Sequence, residues 1–429
     1  MTVLASPSLD KPFARFMRIA WRVATIVLAV VGLIGLALQH RSPANLGPSP
    51  DATSYAYQAL QIAKGNFFSI PWVGENGQGP NVPDALYPSR YPPGFSAVLA
   101  IFPLILRGGL GDVLAGSAVI SGLLLLATGF VAWRIGGWRV AFISMSAVLI
   151  SPVIWRSATI VMSDAFGALL IVLAVWLFYE HRQATRRAVQ VRFLVALGFL
   201  LGFAVFSRFA LIIFAVVAFI AIRNWKNILI LCVAAAPWAI ILALYQWKVY
   251  GSPLTTGYSY WLPGLQEFSW TNPLQWNIMG EGPFIYPDQL NGAAFQFACP
   301  CKYPDGGVMM KTPPLITYPA SLLGLYWVTI PPLFGLFGFY RAWKTRSDRT
   351  TQFFMGSLVL NLVFFAFYFY AGVRFLLPVA ILLIIWSSLG MFDLVDAIVA
   401  RLSRRQKNNP LGGVSVESSD EAVTRASGG

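Results

Sequence analysis

Long apolar runs separated by short basic clusters set the pattern of this chain. A membrane-crossing helix needs about 20 mostly apolar residues. Runs at 19–38, 111–133, 139–155, 164–180, 193–207, 209–222, 227–247, 319–340, 352–370 and 375–400 reach or approach that length and predict about ten spans. The fifth and sixth are short and share a turn at Ser207-Arg208. A further apolar segment, 93–106, is also short and carries Pro93 and Pro103. It is expected to lie at the interface or re-enter the outer side without crossing. The runs leave two long loops, 39–110 and 248–318, rich in Pro, Gly, Trp and Tyr, and loops of that length are commonly functional.

Charge gives this pattern a direction. If 93–106 does not cross, the basic clusters all fall on one side: the N-terminus, Arg134/Arg139, Arg182–Arg192, Arg223/Lys226, Arg341–Arg349 and Arg401–Lys407. That side is then cytoplasmic by the positive-inside rule, and both termini with it. The expected organisation is one transmembrane domain over 1–400, with outer loops 39–110 and 248–318, and a cytoplasmic tail over 401–429. The tail is Gly/Ser-rich and charged and is expected to be disordered. The first apolar run follows Lys11, Arg15, Arg18 and Arg22 like a signal peptide, but its length and the lack of a clear cleavage site favour a retained first span.

Composition excludes a soluble globular class. Hydrophobic residues make up 57% of the 429 and charged residues only 11%, with a mean hydropathy of +0.65, whereas a soluble domain carries about 25% charged residues. The net charge of +14 does not point to nucleic acid, because the cations sit between apolar runs and not along one stripe. Cys232 lies in an apolar run, and Cys299 and Cys301 form a Cys-Pro-Cys in the second loop. Two cysteines there are too few for a zinc site, a bridge between them would be strained, and the sequence leaves open whether they are bonded.

The topology gathers Asp51, Asp84, Arg90, Asp164, Arg208 and Arg374 on the outer face. Asp51 and Tyr55 are four apart and share a helix face. Asp51 and Asp164 each read as a helix N-cap, a role compatible with catalysis. Arg374 runs against the positive-inside trend, and snorkelling to headgroups or phosphate pairing would explain it, since guanidinium matches phosphate oxygens in a bidentate way. Arg208 and Arg90 are weaker cases of the same kind. Asp84, Glu267, Glu281, Asp288, Asp305, Lys302 and Lys311 are expected to be solvated loop charges. Aromatics of Tyr258-Ser259-Tyr260-Trp261 suit either sugar stacking or an interfacial belt.

Five features in order carry a family resemblance: Asp51-x-Thr53-x-Tyr55-Ala56 after the first span; Tyr91-Pro92-Pro93-Gly94; Ser151-Pro152 before Ser163-Asp164; Gly251-Ser252-Pro253-x-x-Thr256-Gly257-Tyr258; and Arg374-Phe375-Leu376-Leu377-Pro378. Over about residues 20–390 the chain resembles membrane glycosyltransferases of the GT-C superfamily, in particular protein O-mannosyltransferases and the lipid A aminoarabinose transferase. The resemblance implies an all-α integral membrane bundle. It implies transfer of a sugar, with inversion, from a polyprenyl-phosphate donor to an acceptor hydroxyl on a lipid, glycan or protein. By similarity Asp51 and Asp164 are the catalytic acids, with Asp51 the base. Arg374, Arg208 and Arg90 contact the donor phosphate, and Tyr55, Tyr91 and Tyr258 contact substrate. Ala52 stands where the family often has a second acid, and Arg90-Tyr91 precedes the Pro-Pro pair, so a plausible metal-ligand carboxylate is missing. A divalent metal is left open and no cofactor is implied with certainty. The competing readings are a transporter or flippase of a lipid-linked sugar and a non-catalytic assembly subunit.

Overall fold

The computed structural model describes residues 11–39, 50–67, 70–71, 86–151, 155, 160–261, 268–274, 279–280, 299–302, 308–311, 314–315, 318–319, 334–368, 370–371 and 373–408. In chain order the helices are α1 (Lys11–Gln39), α2 (Pro50–Ala63), α3 (Pro93–Leu106), α4 (Leu110–Gly136), α5 (Trp138–Leu149), α6 (Ser163–Gln183), α7 (Arg187–Ser207), α8 (Ile212–Ile222), α9 (Trp225–Tyr250), α10 (Gly257–Trp261), α11 (Phe334–Lys344), α12 (Arg349–Phe367) and α13 (Leu377–Asn408). Short β pairings in the loops join Ile70–Pro71 to Leu86–Tyr87, Met279–Gly280 to Tyr370–Ala371, and Cys299–Lys302 to Val308–Lys311.

Among the described residues seven helices are long and apolar enough to cross a membrane, and Pro93–Leu106, Trp138–Leu149 and Phe209–Ile222 are shorter apolar helices. The chain is a multi-pass membrane protein. Most of the expected span 319–340 lies outside the described residues, as do Asp84, Glu267, Glu281, Asp288 and Asp305 and the side chains of Cys299, Cys301, Lys302 and Lys311.

Helix ends differ from the apolar runs for physical reasons. α5 stops at Leu149 instead of continuing to 155, because Pro152 disfavours helix in the residue before it. α7 begins at Arg187, and α13 continues to Asn408, because basic residues extend a helix past its apolar stretch. The turn at Ser207-Arg208 is as expected: α7 ends at Ser207, Arg208 is extended, and a 3-10 turn over Phe209–Leu211 leads into α8.

α6, buried along most of its length, and the first half of α13 form the centre, while α1 and α9 are peripheral. On α9, Leu229, Val233, Ile240 and Leu244 are exposed, as suits a lipid-facing surface. Gly198 and Gly202 let α7 meet α9 backbone to backbone: a Cβ on Gly198 would lie 2.4 Å from the Leu231 carbonyl oxygen, and one on Gly202 2.9 Å from Ala235. Small residues four apart are a recurrent device for close helix packing in membranes.

Charge marks the two ends of the bundle differently. At one end Arg134 pairs with Glu180 and Arg139 with Asp396, each at 2.5 Å, and Arg341 pairs with Asp393. Arg22 of α1 reaches the same end, 5.7 Å over the Trp138 ring. The described ends of the first and last helices therefore share this basic end. At the other end lie the N-termini of α2, α6 and α13 and the C-terminus of α7. The short helix α3 stays there. It starts against Ser207 and Phe206 at Gly94 and packs Leu99 and Phe102 on Gly116, early in α4. α4 then runs the length of the bundle to Arg134. Helix α3 thus lies along one end of the bundle and does not traverse it.

Candidate functional site

The site is built at that second end from four helix termini. Pro50 opens α2 and puts Asp51 in its first turn. α6 opens at Ser163 after an extended Met162, which puts Asp164 in its first turn. Neither carboxylate is the N-cap expected from the sequence: Asp51 is already inside α2, and the residue capping α6 is Met162. Both acids point instead at arginines that end or precede other helices.

Asp51 Oδ2 accepts a hydrogen bond of 2.6 Å from Arg374 Nη2. Asp51 Oδ1 accepts a short one from the Tyr91 hydroxyl. Asp164 Oδ1 accepts from Arg208 Nη1 at 2.5 Å, and the same nitrogen donates to Ser163 Oγ at 3.2 Å. The two guanidinium groups lie against one aromatic ring, with Arg208 Cζ 5.0 Å and Arg374 Cζ 5.4 Å from the centre of Phe375. A tyrosine bridges the pairs. The Tyr55 ring stacks on Tyr91 at 4.5 Å, and its hydroxyl lies 3.0 Å from Ser163 Oγ.

Neighbouring helices and the loops between them hold this arrangement from behind. Gln58 Nε2 donates to the Tyr245 hydroxyl at 3.3 Å, while Gln58 Oε1 accepts from Ser96 Oγ at 2.8 Å. The Tyr250 hydroxyl donates to the Ser89 carbonyl, fixing the strand of chain that carries Tyr91. Helix α10 opens on reciprocal hydrogen bonds between Thr256 and Ser259, a capping box in form. Its first residue is Gly257, where a Cβ would sit 2.2 Å from the Arg90 carbonyl oxygen. Only glycine permits that approach, and it sets Tyr258 edge-on to Tyr91 at 5.7 Å.

Burial pushes the Asp51 carboxyl up, but Arg374 and the hydrogen bonds from Tyr91 and Arg374 outweigh it and hold the group below its ordinary value. Arg90 adds a weaker pull in the same direction. Burial, then the Asp51 charge, push the Tyr91 hydroxyl well up, so it stays protonated and donates to Asp51. Burial also pushes Tyr55 and Tyr258 up.

The structure therefore brings Asp51, Asp164, Arg208, Arg374, Tyr55, Tyr91 and Tyr258 to one end, with Arg90 close enough to act electrostatically on Asp51. Sequence reading placed both arginines against a phosphate; here each is held by a carboxylate. It missed Phe375 as the shared platform, the supporting Gln58 and Ser96, and Ser163 as the link between pairs. Among the described residues no three His, Cys, Asp or Glu side chains stand together as a metal site. Among the described residues both carboxylates of the site are engaged by arginines.

No protein-family model matches the chain, and no curated protein matches it. Solved structures do. ArnT from Cupriavidus metallidurans bound to undecaprenyl phosphate superposes with a TM-score of 0.57 at 14% identity, over 86% of this chain and 60% of that one. The archaeal oligosaccharyltransferase AglB from Archaeoglobus fulgidus, in complex with an inhibitory peptide and a dolichol-phosphate, gives 0.53 at 16% identity, over 90% of this chain and 51% of that one. The chain spans about three-fifths of the length of ArnT and half that of AglB. The likeness shows the fold, a helical membrane bundle of the kind seen in ArnT and AglB.

Proposed function

We propose that this chain transfers a sugar from a polyprenyl-phosphate-linked donor to an acceptor hydroxyl on the extracytoplasmic face of its membrane. The observation that carries the reading is the convergence of the Asp51–Arg374 and Asp164–Arg208 pairs around Phe375 at one end of a GT-C fold. The opposite, basic end is then cytoplasmic. ArnT with undecaprenyl phosphate and AglB with a dolichol-phosphate are neighbours in fold that bind such lipids.

The chemistry follows from the groups present. The acceptor hydroxyl loses its proton to the Asp51 carboxylate as its oxygen bonds the anomeric carbon. The bond from that carbon to the phosphate oxygen breaks on the opposite face, with inversion, and the electron pair leaves with the lipid phosphate. A phosphate leaving group needs no protonation, but its developing charge needs a cation, which Arg374 supplies from beside Asp51. Asp164 and Ser163 position Arg208 as a second cation. Tyr91, Tyr55 and Tyr258 form an aromatic wall along the acceptor side.

Arg374 cannot serve both partners fully. Donor phosphate draws it from Asp51, and the carboxylate, left buried, becomes a stronger base. The donor therefore binds first and activates the group that handles the acceptor. The test is turnover by the purified full chain on a panel of polyprenyl-phosphate sugars, with released polyprenyl phosphate as the readout. Turnover lost in Asp51→Asn supports the reading. No turnover across the panel, with lipid-linked sugar crossing vesicles instead, refutes it in favour of a transporter.

A further inference from the structure

A cleft opens beside the Asp164–Arg208 pair, lined by those two side chains and by Asn361, Phe365, Phe375 and Pro378 among others. Asn361 is the unexpected member. It sits on α12, in the apolar stretch Leu358-Val359-Leu360-Asn361-Leu362-Val363, and is 1% exposed. Its Oδ1 has no hydrogen-bond partner among the described residues. A buried carbonyl oxygen left unpaired costs about 1–3 kcal/mol, and polar groups within membrane spans are retained mainly for function. Of its neighbours on the same helix face, Leu358 and Phe365 are apolar core residues and Ser357 is a buried hydroxyl that is likewise unpartnered among the described residues.

The cleft thus presents a donor, the Arg208 guanidinium, and two acceptors, the Asp164 carboxylate and Asn361 Oδ1. A hydroxyl group, which donates and accepts at once, complements that set, whereas a metal ion is opposed by the guanidinium. The empty space of about 240 Å³ includes the open mouth, which leaves room inside for a substituent and not for a whole sugar ring. Resting on the transferase reading, we infer that this cleft is a subsite that reads one hydroxyl of the transferred sugar, with Asn361 the residue that sets the choice. A site built to bond a hydroxyl rejects the analogue that lacks it far more strongly than an apolar pocket rejects an added one.

The experiment compares wild type with Asn361→Leu on undecaprenyl-phosphate sugars and their mono-deoxy analogues, and records melting temperature alongside. Wild type is expected to disfavour one deoxy analogue in kcat/KM, and Asn361→Leu to cut that preference at least about tenfold while still turning the analogue over. Gly167→Ala, which narrows the same cleft without touching its polar groups, should slow the parent sugar more than the deoxy analogue. Asn361→Leu should melt no lower than wild type, because it removes an unpaired buried oxygen. An unchanged preference among the analogues overturns the inference, as does a marked fall in melting temperature, which would make Asn361 structural. Wild type inert on every donor would instead refute the transferase reading, and the melting comparison still judges Asn361.

Discussion

Replacing Asp51 by Asn should abolish turnover and yet tighten the binding of polyprenyl phosphate. The reasoning rests on the 2.6 Å contact from Arg374 Nη2 to Asp51 Oδ2, between side chains that are 15% and 24% exposed. Hydrogen bonds to charged groups contribute about 1.5–3 kcal/mol. An incoming phosphate must displace much of this one, and it meets the Asp51 charge as well. Two like unit charges about 5 Å apart repel by about 3 kcal/mol at an effective dielectric of about 20. Asparagine keeps the shape and part of the hydrogen bond but removes the charge. Taking about 1.4–2.8 kcal/mol as the relief, affinity should rise roughly ten- to a hundredfold.

Undecaprenyl phosphate binding to the purified chain in nanodiscs measures this, with Arg374→Ala as the variant that loses affinity. If Asp51 instead served only to grip the acceptor, its neutral analogue would bind the lipid no better than wild type. An unchanged or weaker Kd for Asp51→Asn therefore sinks the idea that Arg374 exchanges partners, even if turnover is lost.

Three further outcomes follow from the same geometry. The folded-state value of Asp51 lies below its ordinary 3.8, so its ionised form persists above that and is lost only as pH falls through it; withdrawal of Arg374 leaves burial to push it up, and the acid limb of kcat should lie at higher pH than that of kcat/KM. Equal limbs in the two profiles would show that Arg374 stays on Asp51 throughout. Tyr91→Phe removes the hydroxyl that donates to Asp51 and should lower kcat about tenfold with little change in lipid affinity, measured by the same two assays. Gly257→Ala places a methyl 2.2 Å from the Arg90 carbonyl oxygen and should lower the melting temperature and the turnover together, whereas Gly251→Ala, at the start of the same loop, has no atom within 4 Å of its Cβ and should show only the strain of its positive φ.

The membrane bundle was legible because lipid imposes one simple demand, apolar length, and the chain meets it visibly. That Asp51, Asp164, Arg208 and Arg374 share one end of the bundle was legible too, since span parity and basic clusters put them together before any side chain is placed. Their pairing was not. Asp51 and Arg374 lie far apart in the chain, and a lone outer arginine looks the same in sequence whether it faces a phosphate or a carboxylate. The N-cap reading of both acids failed for a related reason: capping is a local preference, and a nearby guanidinium outweighs it. Asn361 escaped notice because hydrophobic periodicity averages over a single polar residue. A lone asparagine in the middle of a span was the available signal.

The two acid–arginine pairs differ in a way that divides their labour. Asp164 is 5% exposed and Arg208 18%, and Ser163 adds a second acceptor to that arginine. Removing a partner from so buried a pair leaves an uncompensated charge at a cost of about 3–5 kcal/mol. That pair is a fixed element, and neutralising Asp164 should damage the fold more than it helps any ligand. Asp51 is 24% exposed, and its carboxylate has the Tyr91 hydroxyl to fall back on when Arg374 leaves. A site that handles a charged leaving group at a membrane surface must keep its cations compensated while empty and release one when the group arrives. Of the two pairs, Asp51–Arg374 has the more exposed carboxylate and the one with a second donor, so it opens at the lower cost, which is why the proton acceptor and the phosphate contact are assigned to the same ion pair.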